Sequence, residues 1–279
     1  MTQPRLTVTS PPMTSAWQHA LVRHWREYLM EGAGLGMFMV SACLFVALIE
    51  YPASAVRQGL DDPFVRRALI GLAMGLTAIA LIYSPWGKRS GAHLNPTVSF
   101  TFWRLGKIEG WDALFYVLAQ FSGALLGVMI SSLVLPAGAI ADPSVNYVVT
   151  APGGQGPLVA FVCETAISFG MMLMVLAISN QPAVNRYTGI FAGALVALYI
   201  TLEAPLSGMS MNPARTLGSA LPALQFDSLW LYFAGPLLGM LLAAECYVRT
   251  RGERSVLCCK LHHDNGQPCI FRCSFSREA

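Results

Sequence analysis

The sequence predicts an all-α membrane protein: six transmembrane helices plus two re-entrant half-helices, laid out as an inverted repeat. Three observations lead there. Of 279 residues, 54% are hydrophobic and only 12% charged, where a soluble chain carries about 25% charged residues. Six apolar segments reach the roughly 20 residues needed to cross a bilayer. Two short stretches also nearly repeat one another: Ser-Gly-Ala-His-Leu-Asn-Pro from Ser90 to Pro96, and Ser-Gly-Met-Ser-Met-Asn-Pro-Ala-Arg from Ser207 to Arg215.

Taken in order, residues 1–24 are polar and Pro-containing, and predict a mobile cytoplasmic segment without the apolar run of a cleavable signal. The spans fall at about 27–49, 64–84, 111–135, 158–179, 187–204 and 228–248. Five carry Gly-x-x-x-Gly (Gly32/Gly36, Gly71/Gly75, Gly123/Gly127, Gly189/Gly193 and Gly235/Gly239), and the fourth has Ala166/Gly170. Small residues four apart let helices approach closely in lipid, so a compact bundle is expected. Residues 25–250 form the expected channel domain, with repeats at about 27–135 and 158–248 joined by 136–157. Residues 251–279 form a Cys/His-containing cytoplasmic tail.

The halves match in layout. Glu31 lies early in span 1 and Glu164 early in span 4, and an Asn-Pro pair follows spans 2 and 5. Three spans per half is an odd number, so the second copy enters the membrane in the opposite sense and brings two broken helices together at the midplane. With both termini cytoplasmic, fourteen of the 18 Lys and Arg lie inside; only Arg57, Arg66, Arg67 and Arg215 lie outside.

Each Asn-Pro pair is a helix start: Asn caps exposed N–H groups and Pro suits the first turn. Short helices are therefore expected near 95–104 and 212–221, after irregular backbone that survives at membrane depth only where it is buried or lines a polar cavity. Two half-helices meeting N-terminus to N-terminus focus about half a positive charge each at the midplane. Asn95 and Asn212 can donate to a passing oxygen there. The carbonyls of Gly91, Ala92 and His93, and of Gly208, Met209 and Ser210, are expected acceptors along the half-pores.

These motifs resemble those of the major intrinsic protein family, the aquaporins and glycerol facilitators, over roughly residues 27–248. Supporting matches are Glu31, Glu164, Ala119-Gln120 and Gly235-Pro236. The resemblance implies that Asn95-Pro96-Thr97 and Asn212-Pro213-Ala214 form the pore centre, with Thr97 where the family usually has Ala. It implies that Arg215 is the outer-mouth donor and cation barrier, and that Glu31 and Glu164 anchor the loops. It also implies a homotetramer with one pore per subunit. Twelve residues before Asn212, where water-selective members carry His, stands Ile200. The facing position in span 2 falls at Met74 or Gly75, and three before Asn212 is Met209. The expected filter is Met74, Ile200, Met209 and Arg215, greasier than in a strict water channel. Against that, Thr216 and Ala220 follow the water-channel pattern, as does Tyr232-Phe233.

The function expected is a passive channel for water, with small uncharged solutes as company, in the plasma (cell inner) membrane. A glycerol facilitator is the alternative, followed by a coupled transporter using Glu31 or Glu164, or a junctional or scaffolding membrane protein. No nucleophile–base constellation points to an enzyme, and no cofactor is expected. A net charge of +3 with scattered basic residues does not suggest nucleic acid. An odd count of seven cysteines without a secretory signal favours reduced thiols. No metal is expected in the pore. In the tail, Cys259, His262, Cys269 and Cys273 make a candidate zinc set against the plainer reading of free thiols.

Overall fold

The computed structural model describes residues 15–136, 138–263 and 265–275. Those residues form eleven α-helices and no strand. In chain order they are α1 (Ala16–Glu50), α2 (Ala55–Gln58), α3 (Pro63–Tyr83), α4 (Pro85–Ser90), α5 (Pro96–Arg104), α6 (Gly110–Val134), α7 (Pro157–Ser179), α8 (Thr188–Leu202), α9 (Ala204–Ser207), α10 (Pro213–Ala223) and α11 (Leu231–Arg251).

Local sequence sets most of these ends. Pro opens α3, α4, α5, α7 and α10 within the first turn, where its missing N–H costs nothing. Asp62 caps α3 by accepting from Phe64 N at 2.7 Å, and Ser84 caps α4 by accepting from Gly87 N at 3.0 Å. The short α2, α4 and α9 are additions to the sequence-based layout.

Five helices, α1, α3, α6, α7 and α11, are long and apolar enough to cross a membrane. α8 is shorter. Its 15 residues rise about 22 Å against a hydrocarbon core near 30 Å. A 3-10 turn at Asn185–Tyr187 leads into α8, and the pair together fills most of the distance. α8 ends at Leu202, and Pro205 stands in the first turn of the short α9 that follows. α1 departs in the other direction. Residues 16–24, expected to be mobile, are helical and continue the first span; residues 1–14 lie outside the described residues. The extension is tied down at two points: His24 Nδ1 lies 2.8 Å from the Asp112 carboxylate, and the Ala20 carbonyl lies 3.0 Å from Tyr28 Oη, which is itself 2.5 Å from Asp112.

The helices pack in symmetric pairs: α1 on α6, α7 on α11, and α3 on α8 across the halves. Exchanging α1 with α7, α3 with α8, α5 with α10 and α6 with α11 maps this set onto itself, which is the inverted repeat. Glycines carry the closest approaches. A Cβ on Gly123 would lie 1.9 Å from the Gly32 carbonyl oxygen, and one on Gly75 2.5 Å from that of Gly193. The burial pattern is inside-out relative to a soluble protein. Leu76, Leu126 and Leu158 are exposed on the perimeter, while Glu31, Gln120 and Glu164 are fully buried within.

Candidate functional site

Each Ser-Gly stretch leaves its short helix through a left-handed glycine. Gly91 (φ +98°) closes α4 and Gly208 (φ +82°) closes α9. The same strained backbone then recurs twice in each copy, at Ala92 and Leu94 (φ +54° and +49°) and at Met209 and Met211 (φ +48° and +55°). Non-glycine residues hold such angles only where surrounding contacts over-determine them, at a cost of about 1–3 kcal/mol each.

Two buried carboxylates supply those contacts. Glu31 accepts from Ser90 Oγ (2.7 Å), His93 N (3.0 Å), Leu94 N (2.6 Å) and Gln120 Nε2 (2.9 Å). Glu164 accepts from Ser207 Oγ (2.8 Å), Ser210 N (2.7 Å) and Met211 N (2.7 Å). A buried carboxylate is tolerable when its lone pairs are filled this way. Two tyrosines complete the cradle: Tyr116 Oη donates to the Ser90 carbonyl at 2.6 Å, and Tyr232 Oη to the Ser207 carbonyl at 2.5 Å. The bracing role of both tyrosines was missed from sequence. The signal was present, since Tyr116 and Tyr232 stand four residues before Gln120 and Pro236 in corresponding spans.

The loops deliver Asn95 and Asn212 to the start of α5 and α10. Asn95 Oδ1 accepts from Thr97 N (2.9 Å), and Asn212 Oδ1 from Ala214 N (3.1 Å) and Arg215 N (3.2 Å). Their amide groups cross: Asn95 Nδ2 donates to Met211 O at 2.7 Å, and Asn212 Nδ2 to Leu94 O at 2.8 Å. A carboxamide has two N–H bonds, so each keeps one for the space beside it. Pro96, Thr97, Pro213 and Ala214 are buried behind them; the extra methyl and hydroxyl of Thr97 fit there.

That space is a cavity of about 360 Å³ inside the bundle. Ala92, His93, Gly208, Met209 and Ser210 line it, as do both asparagines. Met74, Ile200, Met209 and Arg215 also face it, whereas Gly75 is spent on the contact with α8. Arg215 Nη1 donates to the Val148 carbonyl at 2.7 Å, and no carboxylate lies within ion-pair distance of it among the described residues. Gly91 is different from its counterparts: its carbonyl accepts the Leu261 N–H at 3.1 Å and does not line the cavity.

Leu261 belongs to the tail, which returns across the end of the bundle. His93 Nε2 sits 3.0 Å from the Cys259 carbonyl and Nδ1 3.0 Å from Ser99 Oγ. The carbonyl only accepts, so Nε2 carries the proton and the Ser99 hydroxyl donates to Nδ1. The imidazole is sandwiched between Phe102 and Phe271, at 5.3 and 5.6 Å. Sequence reasoning placed Cys259 and His262 in a zinc set with Cys269 and Cys273; the structure groups Cys258 and His263 with those two instead. Cys259 turns the other way, its Sγ toward the Lys107 carbonyl, and His262 packs edge-on against Tyr83. Burial pushes the Cys259 thiol up from its ordinary range and holds the Lys260 ammonium down.

Comparison with known proteins bears on the family and the fold. The sequence profile described as "Major intrinsic protein" matches residues 18–247. Aquaporin NIP6-1 of Arabidopsis thaliana is 36% identical over 240 residues, covering 85% of the chain and 72% of that protein. Aquaporin NIP2-1 of Oryza sativa subsp. japonica is 37% identical over 183 residues; the match covers 65% of the chain and 59% of the rice protein. The X-ray structure of the aquaglyceroporin from Plasmodium falciparum superposes with a TM-score of 0.67 at 20% identity, over 80% of this chain and 95% of that one. At that identity the likeness concerns the fold.

Proposed function

The chain belongs to the major intrinsic protein family of membrane channels, and on that premise we propose that it conducts water together with small uncharged solutes while excluding ions and protons. The observation that carries this is the crossed pair of Asn95 and Asn212 lining one cavity inside the bundle. One N–H from each amide is left to donate to a passing water oxygen. A water held by both has its hydrogens turned outward, which breaks a proton-conducting chain.

Charge is disfavoured at two levels. The N-termini of α5 and α10 place positive partial charge at the centre, and Arg215 stands toward one mouth. Among the described residues no Asp or Glu side chain lines the cavity to offset them. Elsewhere the wall is mostly apolar, so a neutral solute is held briefly by few groups and leaves readily. Ile200 offers no donor, and the thioethers of Met74 and Met209 are pliable. Both features favour passage of solutes the size of glycerol, more slowly than water. The transporter alternative loses its coupling groups, because the lone pairs of Glu31 and Glu164 are taken by loop N–H, hydroxyl and amide groups.

The full chain in liposomes tests this, assayed with and without a metal chelator because the tail reaches one mouth. Osmotic shrinkage should outpace that of empty liposomes with a lowered activation energy, and an imposed pH gradient should decay no faster. Shrinkage equal to that of empty liposomes in both conditions would overturn the reading.

A further inference from the structure

The described residues of 256–275 form no regular helix or strand, yet Val256, Cys258, Cys259, Lys260, Leu261 and Phe271 are buried. The segment docks on every side of the mouth it covers. Leu257 N and Cys258 N donate to Asn180 Oδ1 beyond α7, at 2.6 and 3.3 Å. Asn265 Nδ2 donates to the Lys88 carbonyl in α4 at 3.0 Å, and Arg272 N to the Lys107 carbonyl between α5 and α6 at 3.1 Å. Arg272 also pairs with Glu109 at 2.6 Å. Leu261 is itself part of the cavity wall.

What holds so irregular a segment in one shape lies on its outer side. The Sγ atoms of Cys258, Cys269 and Cys273 and a ring nitrogen of His263 all fall within 4.8 Å of one another. Cys258 Sγ is 3.6 Å from Cys269 Sγ, and Cys273 Sγ is 3.0 Å from His263 Nε2. Ligand atoms at zinc–sulfur and zinc–nitrogen bond lengths around a tetrahedral ion stand roughly 3.5–3.8 Å apart. The two sulfurs are far beyond the about 2.05 Å of a disulfide, and all seven cysteines are free. Three thiolates and one imidazole are a closed donor set of the structural type. Charge points the same way. Three thiolates around a divalent ion carry one net negative charge, and the cluster's thiols are the electrostatic neighbours of the buried Lys260 ammonium. Lys260 has no carboxylate partner among the described residues; it donates to the Gln267 and Pro268 carbonyls, bracing the turn that leads into Cys269.

We propose that Cys258, His263, Cys269 and Cys273 bind a zinc ion that folds the tail into a cap across the pore mouth, so that metal occupancy sets whether the channel is shut. Metal binding supplies the folding energy that so short a segment cannot gain from its own core. Loss of the ion frees Cys258 and Cys269, and with them the backbone flanking Cys259 and Leu261, which hold His93 and the Gly91 carbonyl. This rests on the channel reading for its consequence but not for the site itself.

The full-length protein, purified without chelator, should contain about one zinc per chain by elemental mass spectrometry. A high-affinity chelator, or the Cys269→Ser and Cys273→Ser variants, should remove it, and protease should then cut within 256–275 while leaving the bundle intact. Shrinkage of liposomes should rise several-fold on metal removal and fall again when zinc is restored; Cys246→Ser, outside the cluster, should behave as the parent. Absence of metal from the reduced full-length protein, or a Cys258–Cys269 disulfide in its place, overturns the site. Metal present but with flux and tail proteolysis both unchanged by its removal overturns the cap. Liposomes that never shrink faster than empty ones count against the channel reading, and the metal and protease measurements still decide the site.

Discussion

Glu31 shows how one side chain can hold a loop that its sequence alone would not hold. Its two oxygens receive four donors, two of them the backbone N–H groups of His93 and the strained Leu94. Glu31→Gln puts an NH2 where an oxygen accepted, leaving at least one buried donor without a partner, at about 1–3 kcal/mol. The melting temperature should drop, and so should that of Glu164→Gln, while the pH dependence of flux stays as in the parent. A folded variant that instead lost a proton-coupled flux would revive the transporter. At the expected filter, Ile200→His puts a longer side chain and a donor into the cavity that Arg215 also lines. It should lower glycerol flux while sparing water; an unchanged glycerol-to-water ratio would show that Ile200 does not set selectivity.

Between elements, the tightest constraint is the α1–α6 seam, where Gly32 and Gly123 bring backbones together. The neighbour of a new Cβ on Gly123 is a carbonyl, which cannot swing aside as a flexible side chain would. Gly123→Ala should therefore part the helices and cost about 1–3 kcal/mol, read as a lower melting temperature. Gly106→Ala, whose Cβ meets nothing within 4 Å but whose φ is +70°, should cost less than Gly123→Ala if crowding outweighs backbone strain. The half-helices themselves are short, and α5 and α10 stand because their N-terminal N–H groups are capped and their flanks packed. Isolated helices of their length are marginal.

Across the whole molecule, the inverted repeat makes two inequivalent ends from two equivalent halves. The tail docks at one, where Lys88 and Lys107 meet it, and the positive-inside rule leads us to expect that end in the cytoplasm. Ala141, exposed in the linker between the halves, lies at the other. Ala141→Cys should react with a membrane-impermeant thiol reagent applied to intact cells; reaction only after permeabilisation would invert the topology. The symmetry also breaks where function is expected to differ. His93 corresponds to Ser210, but only His93 reaches out of the bundle to a tail carbonyl.

The sequence by itself determined where the six apolar segments lie (with limits within a few residues except at the start of α1), the two Asn-Pro helix starts, and the paired positions of Glu31 and Glu164. Each follows from apolar run length, capping chemistry or internal repetition, which act over a handful of neighbouring residues. Only the tertiary structure decided between Met74 and Gly75 for the cavity wall, because facing depends on which flank of α3 meets α8. It alone extended α1 back to Ala16, where His24 meets Asp112 far along the chain. It alone also chose Cys258 and His263 over Cys259 and His262. In an irregular segment neither helical nor strand periodicity says which of two adjacent side chains turns inward. There the docking of Cys259 on His93 and Lys107, more than 150 residues away, settles the direction.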